Sequence, residues 1–152
     1  MLARRLADHH DTPVDDKIVV LRGATWGDYQ RVIEMRGEVA TPRVAFLEGA
    51  LEIMTPSREH EGLKFNIGRL LEVWCLESGV EFSGYGSWTL ESPERDRGVE
   101  PDECSCYVFG DQPEPSRPDL AIDVVGTSGG IDKLEIYRKL GVREVWFCVE
   151  VS

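Results

Sequence analysis

Apolar residues recur along the chain at two spacings, one typical of helices and one typical of strands. The clearest helical spacing, in steps of three or four residues, is followed by Leu63, Ile67, Leu70, Leu71 and Trp74. Ser57 before this stretch and Gly79 after it are typical cap residues. The pattern predicts a long helix between them with an apolar stripe that packs on a sheet.

Two shorter helices are predicted by the same signals. Thr25 and Asp28 have the spacing of a capping box, and Gly37 lies where the helix that follows them is expected to end. A third helix is expected after the glycine-rich stretch 126–130, and Gly141 is its predicted end. Its apolar positions are Ile131, Leu134, Tyr137 and Leu140.

Strand-like segments fill most of the remaining chain. They are residues 43–47, 50–54, 80–85, 87–91, 102–109, 120–125 and 145–151. The first two should form a hairpin through Glu48 and Gly49, whereas the charged stretch 92–98 is expected to be an exposed connection. The last two flank the third helix, which predicts a parallel crossover. The pattern therefore indicates an α/β fold with a mixed sheet flanked by helices.

Composition limits the class of protein. A chain of 152 residues with 41% hydrophobic and 30% charged residues fits one ordinary folded domain, which we expect to span residues 17–152 after a loose N-terminal arm at 1–16. The arm lacks the apolar stretch of a signal peptide, so we predict a cytoplasmic protein. We expect no disulfides among Cys75, Cys104, Cys106 and Cys148, because cytosolic thiols stay reduced. Nor do we expect a zinc site, because the spacing of Cys104 and Cys106 is unlike that of known zinc sites.

Two carboxylates are the first candidates for chemistry. Asp102 follows Pro101, and Asp123 interrupts an otherwise apolar strand, where an ionised side chain requires a partner, a metal or access to water. Two carboxylates on neighbouring strands can hold a Mg²⁺ ion and leave positions for water and a phosphate. Simpler interpretations remain open: Asp102 as a turn residue, and Asp123 as a buried acid satisfied by backbone amides or a basic neighbour.

Phosphodiester hydrolysis also calls for a cation near the attacking water. A lysine two residues after Asp123 would share its strand face, but Val125 occupies that position. Lys133, near the start of the next helix, could reach back with its long side chain. The alternative is an ordinary solvated lysine paired with Asp132 or Glu135.

Several motifs in order resemble those of a large bacterial family of uncharacterised restriction endonucleases that share the PD-(D/E)xK nuclease fold. The matching segments are residues 51–57, 59–61, 67–70, 86–87, 98–103, 118–122, 132–137 and 141–146. Each motif alone is weak, but together they cover the chain from about Thr25 onward. The resemblance implies a restriction-endonuclease-like core with a central mixed β-sheet flanked by helices.

The resemblance also implies roles for individual residues. Asp102 would be the acid of the PD motif, Asp123 the second acid and Lys133 a displaced lysine, with His60 and Glu61 in supporting positions. Alternatively, His60 and Glu61 could merely support the start of their helix, with His60 uncharged or exposed. The implied cofactor is Mg²⁺ or Mn²⁺, the implied substrate is DNA, and a homodimer is expected because two strands require two sites.

Three features favour a different function, that of a catalytically degenerate binding or dimerisation module. The net charge of −11 opposes DNA binding, which depends on Lys and Arg neutralising phosphates. The strand lysine is missing, and relatives usually continue beyond position 152. The family also more often has glutamate as the second acid, and many of its members have glutamate where Ala50 stands here.

Overall fold

The computed structural model describes residues 15–39, 41–85, 88–92, 94, 97–99, 106–125 and 130–149. In these ranges the helices are α1 (Trp26–Arg36), α2 (Arg58–Ser78) and α3 (Lys133–Leu140). The strands are β1 (Lys17–Arg22), β2 (Arg43–Leu47), β3 (Ala50–Thr55), β4 (Phe82–Tyr85), β5 (Leu90–Ser92), β6 (Arg97–Val99), β7 (Cys106–Phe109), β8 (Leu120–Val125) and β9 (Glu144–Val149).

The described strands form two sheets. The first has the order β1-β3-β2-β6-β5 and is antiparallel throughout, whereas the second has the order β4-β7-β8-β9 and is mixed. In the mixed sheet, β8 and β9 are parallel and α3 connects them. This confirms the predicted α/β class and the predicted crossover.

The turns and caps follow the sequence signals. The β2–β3 hairpin turns through Glu48 and Gly49, which have φ of 45° and 87°, so the glycine adopts a conformation that other residues avoid. Thr25 and Asp28 form the predicted capping box, because each side chain accepts a hydrogen bond from the other's backbone N–H. Both predictions are confirmed.

The mixed sheet has a different neighbour on each face. On one face Leu71 and Cys75 of α2 pack with Tyr107 and Ile122 of the sheet. On the other face Ala121 packs with residues of α3 and of the first sheet, in a cluster that includes Ala45, Leu90, Cys106, Ile136 and Tyr137. Asp123 follows Ala121 by two residues and therefore lies on this second face, between the two sheets.

Two strands were missed by the sequence pattern. β1 was not predicted, and the stretch 92–98 was wrongly expected to be an exposed connection, since β6 begins within it and pairs with both β2 and β5. Gly98 is buried, and a Cβ atom there would lie 2.7 Å from the Tyr29 hydroxyl. The glycine that signalled a loop is instead required by close packing against α1.

The predicted apolar stripe of α2 is wrong in part. Leu70 and Trp74 are 71% and 58% exposed. The buried positions keep helical spacing but are shifted around the helix, and they are His60, Lys64, Gly68, Leu71 and Cys75. His60 and Lys64 can be buried on this face because each has an acidic partner. The spacing of apolar residues does not reveal such partners.

A long apolar helix of the kind that crosses a membrane is not found in the described ranges.

Candidate functional site

Lys133 lies at the centre of a buried charged cluster. Its Nζ is 3.3 Å from Oε1 of Glu52 and 3.8 Å from Oδ1 of Asp123. The two acids are 1% and 2% exposed, and the Lys133 side chain is 16% exposed. One ammonium group is therefore shared by two buried carboxylates, one from each sheet.

Glu52 is the site residue that the sequence interpretation did not single out. It lies in β3 and pairs with Ala45, which packs against the mixed sheet, so Glu52 faces the same layer. Its Oε2 accepts a hydrogen bond from the Ile131 backbone N–H at 2.9 Å, just before α3 begins. The available signal was an acid between Leu51 and Ile53, the same anomaly that drew attention to Asp123.

The position of Gly130 is explained by Glu52. A Cβ atom at residue 130 would overlap Glu52 Oε2, so only glycine lets the backbone approach the carboxylate this closely. Both oxygens of Glu52 are thus engaged, one by an N–H of the backbone and one by Lys133.

Asp123 is held by two residues of α3 that are one turn apart. The Tyr137 hydroxyl donates a hydrogen bond to Oδ2 at 2.8 Å, while Lys133 approaches Oδ1. Residues four apart lie on the same side of a helix, so α3 presents both groups to the strand. Asp123 also contributes, after burial, to the raised pKa of the Cys148 thiol on β9.

A second buried cation lies on the same side of the first sheet. Arg43 is buried and pairs with Met54 in the β2–β3 ladder. Because side chains alternate along strands, Arg43 lies on the face that contains Glu52 and Met54. The layer between the sheets therefore contains Arg43 and Lys133 as well as the two acids.

A cavity of about 250 Å³ opens beside the cluster. Glu52 and Lys133 line it, together with Asp16, Met54, Ile131 and Phe147. Asp123 is not a lining residue and contacts the cluster through Lys133. A ligand in the cavity would therefore meet the ammonium group and the Glu52 carboxylate first.

His60 and Glu61 lie at the start of α2, and neither is among the residues that line the cavity. His60 is fully buried, and its Nδ1 is 3.0 Å from Oδ2 of Asp16. The Ser57 N–H donates to the other oxygen of Asp16 at 2.6 Å. Glu61 forms an ion pair with Lys64 at 2.8 Å. The alternative of an exposed His60 is therefore wrong, while the supporting role of both residues stays a prediction.

Asp16 marks the boundary of the predicted N-terminal arm. Residues 1–14 lie outside the described residues, so a loose arm there stays a prediction. Asp16 itself is bound by Ser57 and His60 and lines the cavity. Asp16 is therefore packed against the start of α2, although it precedes the first strand.

Asp102, the predicted acid of the PD motif, lies outside the described residues, as does Cys104. The structure brings Lys133 and Asp123 together, which excludes the alternative of a solvated Lys133. It also provides Asp123 with the basic neighbour that the simpler interpretation requires. The catalytic and metal-binding roles of Asp102, Asp123 and Lys133 stay predictions.

The donor set suits a hard divalent cation. Glu52 and Asp123 both direct carboxylate oxygens toward the Lys133 ammonium group. Mg²⁺ is commonly bound through one or two carboxylates, with water in its other positions. The described residues contain no group of three or more His, Cys, Asp or Glu side chains arranged for a metal ion. A site of this kind would rely on these two acids, water and a phosphate.

The comparisons with known proteins give one finding. A family model, Uma2, with the description "Putative restriction endonuclease", matches residues 26–150. The match covers most of the chain and confirms the resemblance found in the sequence. Neither the search of curated proteins nor the search of solved structures found a match.

Proposed function

Because the chain belongs to the Uma2 family of putative restriction endonucleases, we propose that it hydrolyses phosphodiester bonds in DNA with the help of Mg²⁺ or Mn²⁺. The observation that carries the proposal is the shared ammonium group of Lys133 between the buried carboxylates of Glu52 and Asp123. Clusters of buried ionisable groups beside a cavity are common at functional sites, and this association supports the proposal.

The chain's own residues would divide the work. Glu52 and Asp123 would hold the metal ion, and Lys133 would orient the attacking water or offset the negative charge of the transition state. Phe147 and Met54 would provide apolar walls of the cavity, which strengthen these interactions by excluding water. When bound, a divalent cation polarises the phosphate and favours ionisation of water.

Asp102 is proposed as a further metal ligand. It precedes Cys106 by four residues, and Cys106 pairs with Ala121, two residues before Asp123. Four residues span at most about 14 Å of chain, a length that allows Asp102 to reach the same region. The proposal for Asp102 also depends on the family resemblance.

Cleavage of supercoiled plasmid DNA with Mg²⁺ or Mn²⁺ tests the proposal. We expect activity that EDTA abolishes, and a decrease of about 100-fold or more for Glu52→Gln, Asp123→Asn, Asp102→Asn and Lys133→Met. Lys139→Met is the matched control, because Lys139 is on the same helix but pairs with Glu48 and Glu135 at the surface.

The contrary result is equally clear. Activity that the four variants retain in full would come from a contaminant or from another site. Urea unfolding of each variant separates loss of the site from loss of the fold, because only a folded and inactive variant supports the assignment.

A degenerate module is the second candidate, and one observation favours it. The described contacts already satisfy the carboxylates internally, through Lys133, Tyr137 and the Ile131 N–H. A network of this kind can stabilise a fold without binding a metal. In that case the plasmid remains intact and the protein retains only a binding or assembly function.

DNA and a second copy of the chain are the proposed partners. The net charge of −11 predicts weak DNA binding, which a divalent cation should strengthen by adding local positive charge. A homodimer would present two sites to two strands. Sedimentation that gives only a monomer at high protein concentration would contradict this part of the proposal.

A further inference from the structure

Tyr137 is a buried residue that the proposed chemistry does not yet use. It is fully buried in the middle of α3, and its hydroxyl donates to Asp123 Oδ2 at 2.8 Å. A buried tyrosine hydroxyl needs a polar partner, but here that partner is the acid at the centre of the site.

The aromatic ring is fixed by its surroundings. Tyr137 contacts the Phe147 ring edge to face, with centroids 6.2 Å apart. Phe147 is the β9 residue paired with Asp123 in the parallel ladder. The Tyr137 ring is therefore packed beside Asp123, and this packing limits the positions that its hydroxyl can occupy.

The two oxygens of Asp123 consequently have different environments. Oδ2 is bound by the hydroxyl, and Oδ1 faces the Lys133 ammonium. A hydrogen bond to one oxygen fixes the rotation of the carboxylate and directs the other oxygen toward the shared cation. The Asp123 carboxylate is therefore held in one orientation, with Oδ1 toward the Lys133 ammonium group.

We propose that Tyr137 is a positioning residue, whose hydroxyl orients the Asp123 carboxylate so that Oδ1 points toward Lys133 and Glu52, where it would serve as a ligand of the proposed metal ion. This inference rests on the proposed function. Residues that orient metal ligands in this way typically affect metal affinity or activity by about 10- to 100-fold when they are changed.

The chain offers a matched control. Tyr107 is also a buried tyrosine, and its hydroxyl donates to a carboxylate oxygen of Glu72 at 3.1 Å. It belongs to the cluster on the α2 face of the mixed sheet, away from Lys133. Tyr107→Phe therefore removes the same kind of bond without touching the site.

The test compares Tyr137→Phe and Tyr107→Phe with the unmodified chain. We expect Tyr137→Phe to weaken Mn²⁺ binding in calorimetry about 10-fold or more, and to lower kcat for plasmid cleavage while KM for DNA is unchanged. Tyr107→Phe should leave both quantities unchanged. Urea unfolding should show a similar loss of stability in both variants.

Each outcome decides the proposal. If the unmodified chain binds Mn²⁺ and Tyr137→Phe binds it equally well, the positioning role is wrong and the proposed function stands. If both variants weaken Mn²⁺ binding equally, the effect is a general consequence of lost stability and the positioning role is again wrong. If the unmodified chain binds no Mn²⁺, the proposed function fails and the positioning role fails with it.

Discussion

Lys133 Nζ and Glu52 Oε1 lie 3.3 Å apart and join the start of α3 to the antiparallel sheet. The Ile131 N–H donates to the second oxygen of the same carboxylate. Glu52 therefore ties the start of α3 to β3, which lies some 80 positions earlier in the sequence. The same contact closes one side of the cavity and orders the candidate site.

Removal of the ammonium group should destabilise the protein. Lys133→Met leaves Glu52 and Asp123 buried without that cation, and we expect a loss of about 2 to 3 kcal/mol in the free energy of unfolding at pH 7. This is below the range for fully buried pairs, because Lys133 is 16% exposed.

Urea unfolding at pH 7 measures this loss. Lys139→Met provides the control, and it should cost less than about 1 kcal/mol because its ion pairs are partly exposed. Equal losses for the two variants would contradict a buried network of two acids and one shared ammonium group.

Gly130→Ala should disturb the site more than the fold. The added Cβ would overlap Glu52 Oε2, which forces the carboxylate away from the Ile131 N–H. We expect weaker Mn²⁺ binding and a stability loss of about 1 to 3 kcal/mol. Gly62→Ala is the control, because a Cβ there meets no atom within 4 Å. Unchanged Mn²⁺ affinity in Gly130→Ala would mean that Glu52 is not a ligand.

The capping box of α1 should make stability depend on pH. Hydrogen bonds from the Thr25 backbone and side chain lower the pKa of Asp28 from its ordinary value of 3.8. A lowered pKa in the folded state stabilises the protein above pH 3.8, and this contribution disappears as the pH falls through the lower value. Asp28→Ala should therefore be less stable at pH 7, with a smaller difference near pH 2.5. A constant difference would contradict this assignment.

Cys148 can report the charge of Asp123. Burial and then the nearby Asp123 carboxylate raise the pKa of this thiol, so its alkylation at pH 7.5 should be slow. Asp123→Asn removes the charge and should accelerate alkylation, as followed by mass spectrometry. Cys75 is the internal control, because burial and Glu72 raise its pKa instead. Equal acceleration at both cysteines would indicate loosening of the fold.

The elements with local signals were predictable from the sequence. Caps at Ser57 and Thr25, the Glu48–Gly49 turn and the buried strand at β8 are each specified by neighbouring residues. The buried face of α2 was not, because His60 and Lys64 are buried with partners that only the folded chain supplies. β6 was missed because charges and Gly98 conceal a short strand whose pairing is non-local.

The candidate site divides in the same way. Asp123 is conspicuous as an acid in an apolar strand, and Lys133 could be considered because of its long side chain. Glu52 had the same local signal, but its relation to Asp123 depends on how two separate sheets pack together. Tyr137 was predicted only as an apolar position of the third helix. The spacing of apolar residues does not reveal that its hydroxyl donates to Asp123.

Calorimetric titration of Mn²⁺ tests most directly whether Glu52 and Asp123 share a divalent cation. We predict specific binding to the unmodified chain, loss of binding in Glu52→Gln and in Asp123→Asn, and unchanged binding in Glu135→Gln, whose carboxylate forms surface pairs on α3. No binding to the unmodified chain, or equal binding to all four proteins, would contradict a metal site at these two acids.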